Sequence, residues 1–308
     1  MYYFIVNPNA GWGKGGRVWQ VLSGYLEKHQ VEYEAYLTIG KGDAREAARR
    51  LTCGRREELV LVGVGGDGTM NEILDGLCFG CPMTLGHIPA GTGNDLGRSL
   101  RLPLSPLKGL KHLLRPKRWK LIDYGVLSYG EQEMGHRRFL VSAGIGFDGA
   151  VCQAMVESAP SQGRLPFWPR RLSYIKAALC QLLRCRPCKG YILLDGVKKV
   201  EFNHIVFISC HIQPYEGGGL KLAPGADGSD GRLAVCVASH SSRSRLLSVF
   251  ASAFLGRGRA VKGIRRYECG EVQIHTERPL PVHADGESCG QQAGLQVACV
   301  PRKIRVVC

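Results

Sequence analysis

The chain opens with two alternating hydrophobic rhythms. Short apolar runs at residues 2–6, 32–38, 59–64 and 83–88 have the length of buried strands, and each is followed by apolar positions recurring at helical spacing, over 14–29, 43–52, 70–78 and 93–101. Strand then helix, repeated, predicts parallel strands joined by crossover helices. The result is a doubly wound α/β layer whose ligands lie beyond the carboxyl ends of the strands. From about residue 121 the rhythm changes to short strand-like runs broken by Gly and Asp, at Phe139–Ser142, Tyr191–Leu194, His204–Ser209, Leu233–Ala238 and Glu271–His275. Helical patterns interrupt them near 171–185 and 243–255. This second texture predicts a mostly antiparallel β domain, with the boundary near 120. Internal repeats and low-complexity tails are absent from the sequence.

Bulk properties narrow the picture. The 308 residues suit about two domains. No stretch approaches the ~18 apolar residues of a membrane span, and the opening Met1–Val6 lacks a basic leader, so the expectation is a cytoplasmic protein, neither secreted nor membrane-spanning. Thirteen cysteines without a compact framework predict reduced thiols. Two Cys-x-x-Cys pairs, Cys78/Cys81 and Cys185/Cys188, lie too far apart for a zinc ribbon. The net charge of +15 predicts a negative partner: nucleotide phosphate, anionic lipid or nucleic acid. No aromatic-basic RNA motif or zinc finger is present, which sets nucleic acid aside.

Candidate chemistry concentrates in LVLVGVGGDGTMNEIL, residues 59–74, where Gly63, Gly65 and Gly68 make a Gly-x-Gly-x-x-Gly pattern. A dinucleotide-binding turn should follow the first strand and be answered ~20 residues later by an acid at a strand end. This one follows the third strand, and the later position falls on Ile88-Pro89-Ala90-Gly91. An oxidoreductase is therefore disfavoured. Asp67 sits inside the turn, where its carboxylate repels a phosphate unless a divalent cation stands between them; that predicts Mg²⁺ and a nucleoside triphosphate. Thr69 and Glu72 form a Thr-x-x-Glu capping box, predicting a helix start whose N–H groups face the loop. Pro89–Asp95 repeats the arrangement, with Thr92 as the expected cap of a helix to Arg101. Either junction alone reads first as a tight turn with a plain N-cap; together they favour a phosphate site. Asn7–Gly16 is a further Gly-rich loop, not a Walker A motif, that offers backbone donors or the Lys14 ammonium to a phosphate.

Gly65-Gly66-Asp67-Gly68-Thr69-Met70-Asn71-Glu72, with Asn7-Pro8 before it and Gly91-Thr92-Gly93-Asn94-Asp95 after it, resembles the catalytic domain of the diacylglycerol kinase family. The soluble bacterial lipid kinases are the nearest type, related in turn to sphingosine and ceramide kinases. The likeness continues at Gly144–Asp148, at Gly217–Gly219 through Pro224 to Asp230-Gly231, and at Asp285-Gly286-Glu287. The Gly-Gly-Asp-Gly-Thr core is shared with NAD kinases and phosphofructokinases, whereas the ordered set follows the lipid kinases. Ala284 and Ala234 depart from the usual pattern without removing a proposed ligand.

The resemblance implies an α/β nucleotide-binding domain over 1–120, with 290–308 returning to it, and a β-sandwich-like lipid domain over 121–289. It implies ATP contacts at Asn7, Thr38, Gly65, Gly66, Asp67, Gly68, Thr69, Met70, Asn71 and Thr92. It further implies catalytic carboxylates Asp67, Asp95, Asp285 and Glu287, with Glu287 as general base. A structural Mg²⁺ is implied at Asp230 with the carbonyls of Asp227 and Arg232. From the residues alone, Asp285–Glu287 reads either as a polar turn or as two carboxylates on one side of an extended segment, and Asp227–Arg232 also reads as a plain β-turn. The implied activity is transfer of the ATP γ-phosphoryl group to a membrane-lipid hydroxyl, diacylglycerol first, with a sphingoid base, phosphatidylglycerol or a non-catalytic ATP/lipid sensor as alternatives. A homodimer is a further expectation.

Contact with the lipid surface has its own candidate. Leu165–Leu172 runs into Ile175, Leu179, Leu182 and Leu183 at helical spacing, edged by Arg170, Arg171, Lys176, Arg184 and Arg186. It reads as a basic amphipathic helix for transient docking on anionic membrane, or as a core helix with a solvated basic face. Arg257, Arg259, Lys262, Arg265 and Arg266 form a second basic cluster.

Overall fold

The computed structural model describes residues 1–130, 134–157, 170–239 and 264–308. They form two compact units, Met1–Asp123 with Arg302–Cys308, and Tyr124–Pro301.

The first unit is built on parallel strands β1 (Tyr2–Val6), β2 (Tyr33–Leu37), β3 (Leu59–Gly65) and β4 (Met83–Pro89). β1 lies between β2 and β3, and β3 pairs onward with β4. Beyond β4 comes the end of β13 (Glu287–Val307), where Arg305 and Val306 pair parallel with Thr84 and Leu85. β3 reads LVLVGVG and is buried almost throughout, as a strand covered on both faces requires. Alternation sorts its neighbours. Phe4, Val6, Val62, Val64, Ile88 and Ala90 share one core with Trp19 and Leu22 of helix α1 (Ala10–Lys28) and Leu110 and Leu113 of α5 (Pro106–Leu114). Gly63 points the other way, where an added Cβ would collide with Met70 and Ile73 of α3 (Asp67–Gly76). α3 in turn packs against α2 (Asp43–Thr52) so closely that a Cβ on Gly76 would strike the Arg45 carbonyl. At the far ends of these two helices Cys53 and Cys78 form a disulfide, Cα to Cα 5.2 Å. The reduced-thiol expectation fails for this pair because α2 and α3 bring together two residues 25 apart in sequence. Cys78 is thereby separated from its Cys-x-x-Cys neighbour Cys81, which stays a buried free thiol.

The second unit is antiparallel. β5 (Trp119–Tyr129) pairs with β6 (Gly135–Phe139). β7 (Ser142–Gly146) lies between β9 (Lys198–His211) and β12 (Glu271–Ala284), while β8 (Cys188–Leu194) bridges the other halves of the same two strands. β10 (Leu233–Ser239) and β11 (Ile264–Cys269) extend the β9 edge. β13 forms a hairpin with β12, pairing Glu287 through Ala298. Residues 290–301 therefore stand in this unit, and the return to the first begins only at Arg302. Helix α6 (Phe147–Glu157) packs on β12 and β9, and α7 (Arg170–Arg184) packs on α6 through Ala178 and Leu182. Leu179 and Leu183 of α7 are exposed beside Lys176, Arg184 and Arg186. Leu165–Pro169, the 243–255 helical pattern, Arg257, Arg259 and Lys262 lie outside the described residues. Among the described residues no helix is long and apolar enough to cross a membrane.

Candidate active site

In the first unit, the carboxyl ends of β1, β3 and β4 carry loops that bind one another. Asn7 follows β1; its Nδ2 donates to Thr69 Oγ1 at 3.1 Å and its Oδ1 accepts the Asn9 N–H at 3.0 Å. Gly11, Trp12 and Gly13 follow with positive φ, so the regular part of α1 begins at Lys14, whose side chain is exposed. In the loop after β3, the Gly65 carbonyl accepts N–H bonds from Ala90 at 2.8 Å and Gly91 at 3.3 Å, and lies 3.3 Å from His87 Nε2. Burial pushes the His87 imidazole below its ordinary value, against the pull of nearby Asp67, so it stands neutral and donates to Gly65. Gly66 and Gly91 pack backbone to backbone, closer than any side chain would allow. Asn94 holds the second loop from within, with its Oδ1 accepting the Gly91 N–H at 3.0 Å and its Nδ2 donating to the Gly91 carbonyl at 2.8 Å. The two loops meet again at Asp67, whose Oδ1 accepts the Leu96 N–H at 3.1 Å. Asp95 is buried and pairs with Arg98 at 3.2 Å.

The expected caps are replaced by longer-range bonds. α3 begins at Asp67 with Gly66 as its N-cap; Thr69 lies inside the first turn, its hydroxyl taken by Asn7. Glu72 does not reach back along α3. Its carboxylate accepts the Gly42 N–H at 2.9 Å and the Ala44 N–H at 3.2 Å, capping α2 instead. Helix α4 is the short Asp95–Ser99, with Asn94 and not Thr92 at its N-cap. Of the ten expected nucleotide contacts, Asn7, Gly65, Gly66, Asp67, Thr69 and Asn71 are gathered in the β1 and β3 loops and the first turns of α3. Thr92 is exposed in the adjoining loop, and Gly68 is exposed at the head of α3. Thr38 is buried just past β2, its N–H on the Val6 carbonyl at 2.8 Å. Met70 is 1% exposed, with its side chain in the core, so only its main chain can face a nucleotide.

In the second unit Asp285 and Gly286 form the two-residue connection between β12 and β13, with φ of 47° and 83°. The strand does not persist through Asp285, so the expectation of two carboxylates on one side of an extended segment is not met. The Asp285 carboxylate accepts three main-chain N–H groups, from Leu140 at 2.8 Å, Val141 at 2.9 Å and Ser142 at 3.1 Å. Glu287, half-buried, is the first residue of β13, opposite Ala284. Behind the turn, His283 Nδ1 accepts the Gly286 N–H at 3.3 Å while Nε2 meets Asp148 Oδ2 at 2.9 Å. This buried cluster, which also includes Glu216 and His211, joins residues far apart in sequence, beyond the reach of any local spacing rule.

Asp227–Arg232 is a bonded turn. The Asp227 carbonyl accepts from Ser229 at 2.7 Å and Asp230 at 3.2 Å, and Asp230 Oδ1 accepts the Arg232 N–H at 2.9 Å. Its all-oxygen donor set is of the class that suits Mg²⁺, and so is the Asp67 carboxylate within a loop of main-chain groups.

Comparison with known proteins assigns the chain. The profile of the diacylglycerol kinase catalytic domain matches residues 1–126, and that of the YegS C-terminal NAD kinase beta sandwich-like domain matches residues 142–308. A diacylglycerol kinase of Mycobacterium tuberculosis is 30% identical over 315 residues, spanning 98% of this chain and 93% of that protein. The Bacillus subtilis protein YtlR is 26% identical over 309 residues, 99% of this chain and 98% of its own. The crystal structure of a diacylglycerol kinase from Bacillus anthracis has a TM-score of 0.71 at 19% identity, covering 99% of this chain and 96% of that one, which speaks for the fold. Matched along both units, the chain belongs to the diacylglycerol kinase catalytic-domain family, phosphotransferases with an alcohol group as acceptor.

Proposed function

We propose that this protein phosphorylates diacylglycerol with ATP, giving phosphatidic acid. The observation that carries the reading is the loop pair around Asp67. Gly65, Gly66 and Gly91 bring two main-chain segments together at the carboxyl edge of a parallel sheet, and the Asp67 carboxylate between them supports a metal-bound triphosphate there. Asn7, Thr38, Thr92 and the main chain of Gly65–Asn71 bind and orient the nucleotide. Asp67 and Asp95 would hold Mg²⁺, which when bound neutralises phosphate charge. Glu287 accepts the proton of the acceptor hydroxyl as the oxygen attacks the γ-phosphorus and ADP leaves. Asp285 serves this site by fixing the turn from which Glu287 departs. Asp230, with the carbonyls of Asp227 and Arg232, would hold a second, structural Mg²⁺. The exposed Leu179 and Leu183 beside Lys176, Arg184 and Arg186 support transient docking of α7 on anionic membrane.

The test is transfer of labelled γ-phosphate to diacylglycerol, sphingosine, ceramide and phosphatidylglycerol in Mg²⁺-containing mixed micelles. Diacylglycerol labelling that falls about 10²–10⁴-fold in Glu287→Gln, with ATP binding kept, supports the reading. Labelling of another lipid alone reassigns the acceptor. Full activity in Glu287→Gln removes that residue as the base.

A further inference from the structure

We infer that the second unit contains a buried site for a zinc-class divalent ion, formed by Asp148, Cys152, Glu216 and His283. It is separate from the carboxylates proposed above for nucleotide-linked and structural Mg²⁺.

Asp148 and Cys152 are four residues apart on α6 and so share one face of the helix, the spacing that lets two side chains serve one centre. His283 comes from the end of β12, against which α6 packs. One ligand atom from each of Asp148, Cys152 and His283 lies within 4.8 Å of the others. Glu216 supplies a fourth donor, its Oε1 at 3.4 Å from His283 Nε2. Ligand atoms in a tetrahedral shell around Zn²⁺ are separated by about 3.5 Å, so small adjustments bring the Asp148, Cys152 and His283 atoms to bonding distance, and a swing of the Glu216 carboxylate completes the shell.

Three further observations favour an ion over a purely hydrogen-bonded cluster. First, the carboxylates of Asp148 and Glu216 converge on one imidazole in the protein interior; all three residues are at most 6% exposed. Such a concentration of negative charge away from water calls for positive charge, which a protonated His283 supplies in the empty site and a divalent ion in the filled one. Second, glycine at 144 lets two donors converge against the strand: a Cβ there would collide with Asp148 Oδ2 and lie 2.7 Å from His283 Nε2. Third, the donor set has an outer partner of the kind metal sites use. His211 Nε2 lies 3.5 Å from Glu216 Oε2 and 2.9 Å from Ser209 Oγ, which fixes the carboxylate from behind. A thiolate with an imidazole selects Zn²⁺ or Co²⁺ over Mg²⁺ or Ca²⁺.

Loading balances simply. Cys152 releases its thiol proton to solvent as the sulfur bonds the ion. His283, whose pKa is raised, against burial, well above the ordinary value beside Cys152 and Asp148, releases its Nε2 proton to solvent as that nitrogen bonds the ion, while Nδ1 stays 3.3 Å from the Gly286 nitrogen. The site therefore touches the turn that precedes Glu287 without belonging to it.

The test uses the full chain, prepared without metal-affinity resin, first for zinc content and then, after chelation, by titration with Co²⁺. About one ion per chain is expected, with a thiolate-to-cobalt charge-transfer band in the near ultraviolet. Cys152→Ser should abolish that band while far-ultraviolet circular dichroism stays unchanged. His283→Gln should weaken Co²⁺ binding at least about tenfold, and Cys180→Ser, which removes an exposed thiol, should change neither. Absence of both zinc and the cobalt band in wild type overturns the inference. So does a band that survives Cys152→Ser. Should Cys152→Ser fail to fold, Cys152→Ala gives the same decision.

Discussion

Replacing Asp285 with alanine removes the acceptor for three main-chain N–H groups at once. Leu140, Val141 and Ser142 are at most 4% exposed, so their donors have little water to turn to. A hydrogen bond to a charged partner contributes about 1.5–3 kcal/mol net; three would sum to roughly 4–9 if independent. They share one carboxylate at a partly exposed turn, which lowers the expectation to about 3–5 kcal/mol. Asp285→Asn separates this effect from backbone strain, since asparagine also tolerates φ of 47°. Its single carbonyl oxygen keeps part of the set while its NH₂ faces a donor, for an expected loss of about 1.5–3 kcal/mol. For a unit of this size each kcal/mol lowers Tm by about 2–4 °C, so Asp285→Ala should melt about 6–20 °C below wild type. Urea unfolding followed by fluorescence, with calorimetry, reads both variants. An Asp285→Ala protein within about 0.5 kcal/mol of wild type would refute the reasoning. If Asp285→Asn kept full stability but lost turnover, the residue would be a reacting group and not a brace.

Other outcomes follow from the first unit. Glu72→Ala removes both acceptors capping α2 and should cost about 1–3 kcal/mol in urea unfolding; an unchanged midpoint would show that water replaces the carboxylate. His87 is neutral when folded, with its pKa lowered from the ordinary 6.5, so the unfolded chain takes up a proton first as pH falls. Its contribution is fully present above pH 6.5 and is lost below it, by up to about 1.4 kcal/mol per pH unit, and His87→Gln should flatten that part of the stability–pH curve. Reducing the Cys53–Cys78 bridge reopens a loop of 25 residues and should lower stability by about 3–3.5 kcal/mol. If thiol labelling proves reduction and the unfolding midpoint stays in place, the bridge contributes nothing.

The strands of the first unit were legible because each is a dense apolar run. Tyr2–Val6, Leu59–Gly65 and Met83–Pro89 fall within a residue of the expected bounds. The caps were not legible, because tertiary partners outbid local ones. Thr69 is claimed by Asn7, 62 residues away, and Glu72 by the start of a different helix. α5 was missed although Ser105-Pro106 is a usable start signal, a cap-type residue before a proline at the first turn. The resemblance divides β13 at residue 290, whereas pairing with β12 carries the strand through Gly290 and Gly294 as far as Ala298. The Asp-Gly dipeptide before Glu287 is the signal behind the polar-turn alternative, since two residues between strands call for a tight turn with positive φ. Asp148 and His283 stand 135 residues apart, beyond any spacing rule.

The strand segment that completes the parallel sheet of the first unit is encoded after the whole of the second. During synthesis residues 1–123 leave the ribosome with the outer edge of β4 bare, and Arg305 and Val306 arrive only after 178 intervening residues, 124 through 301, have been made. Until then the edge is open to any extended segment that meets it. A fragment stopped at Asp123 would keep that exposure permanently, so the first unit should be prepared by grafting 302–308 after 123 rather than by truncation.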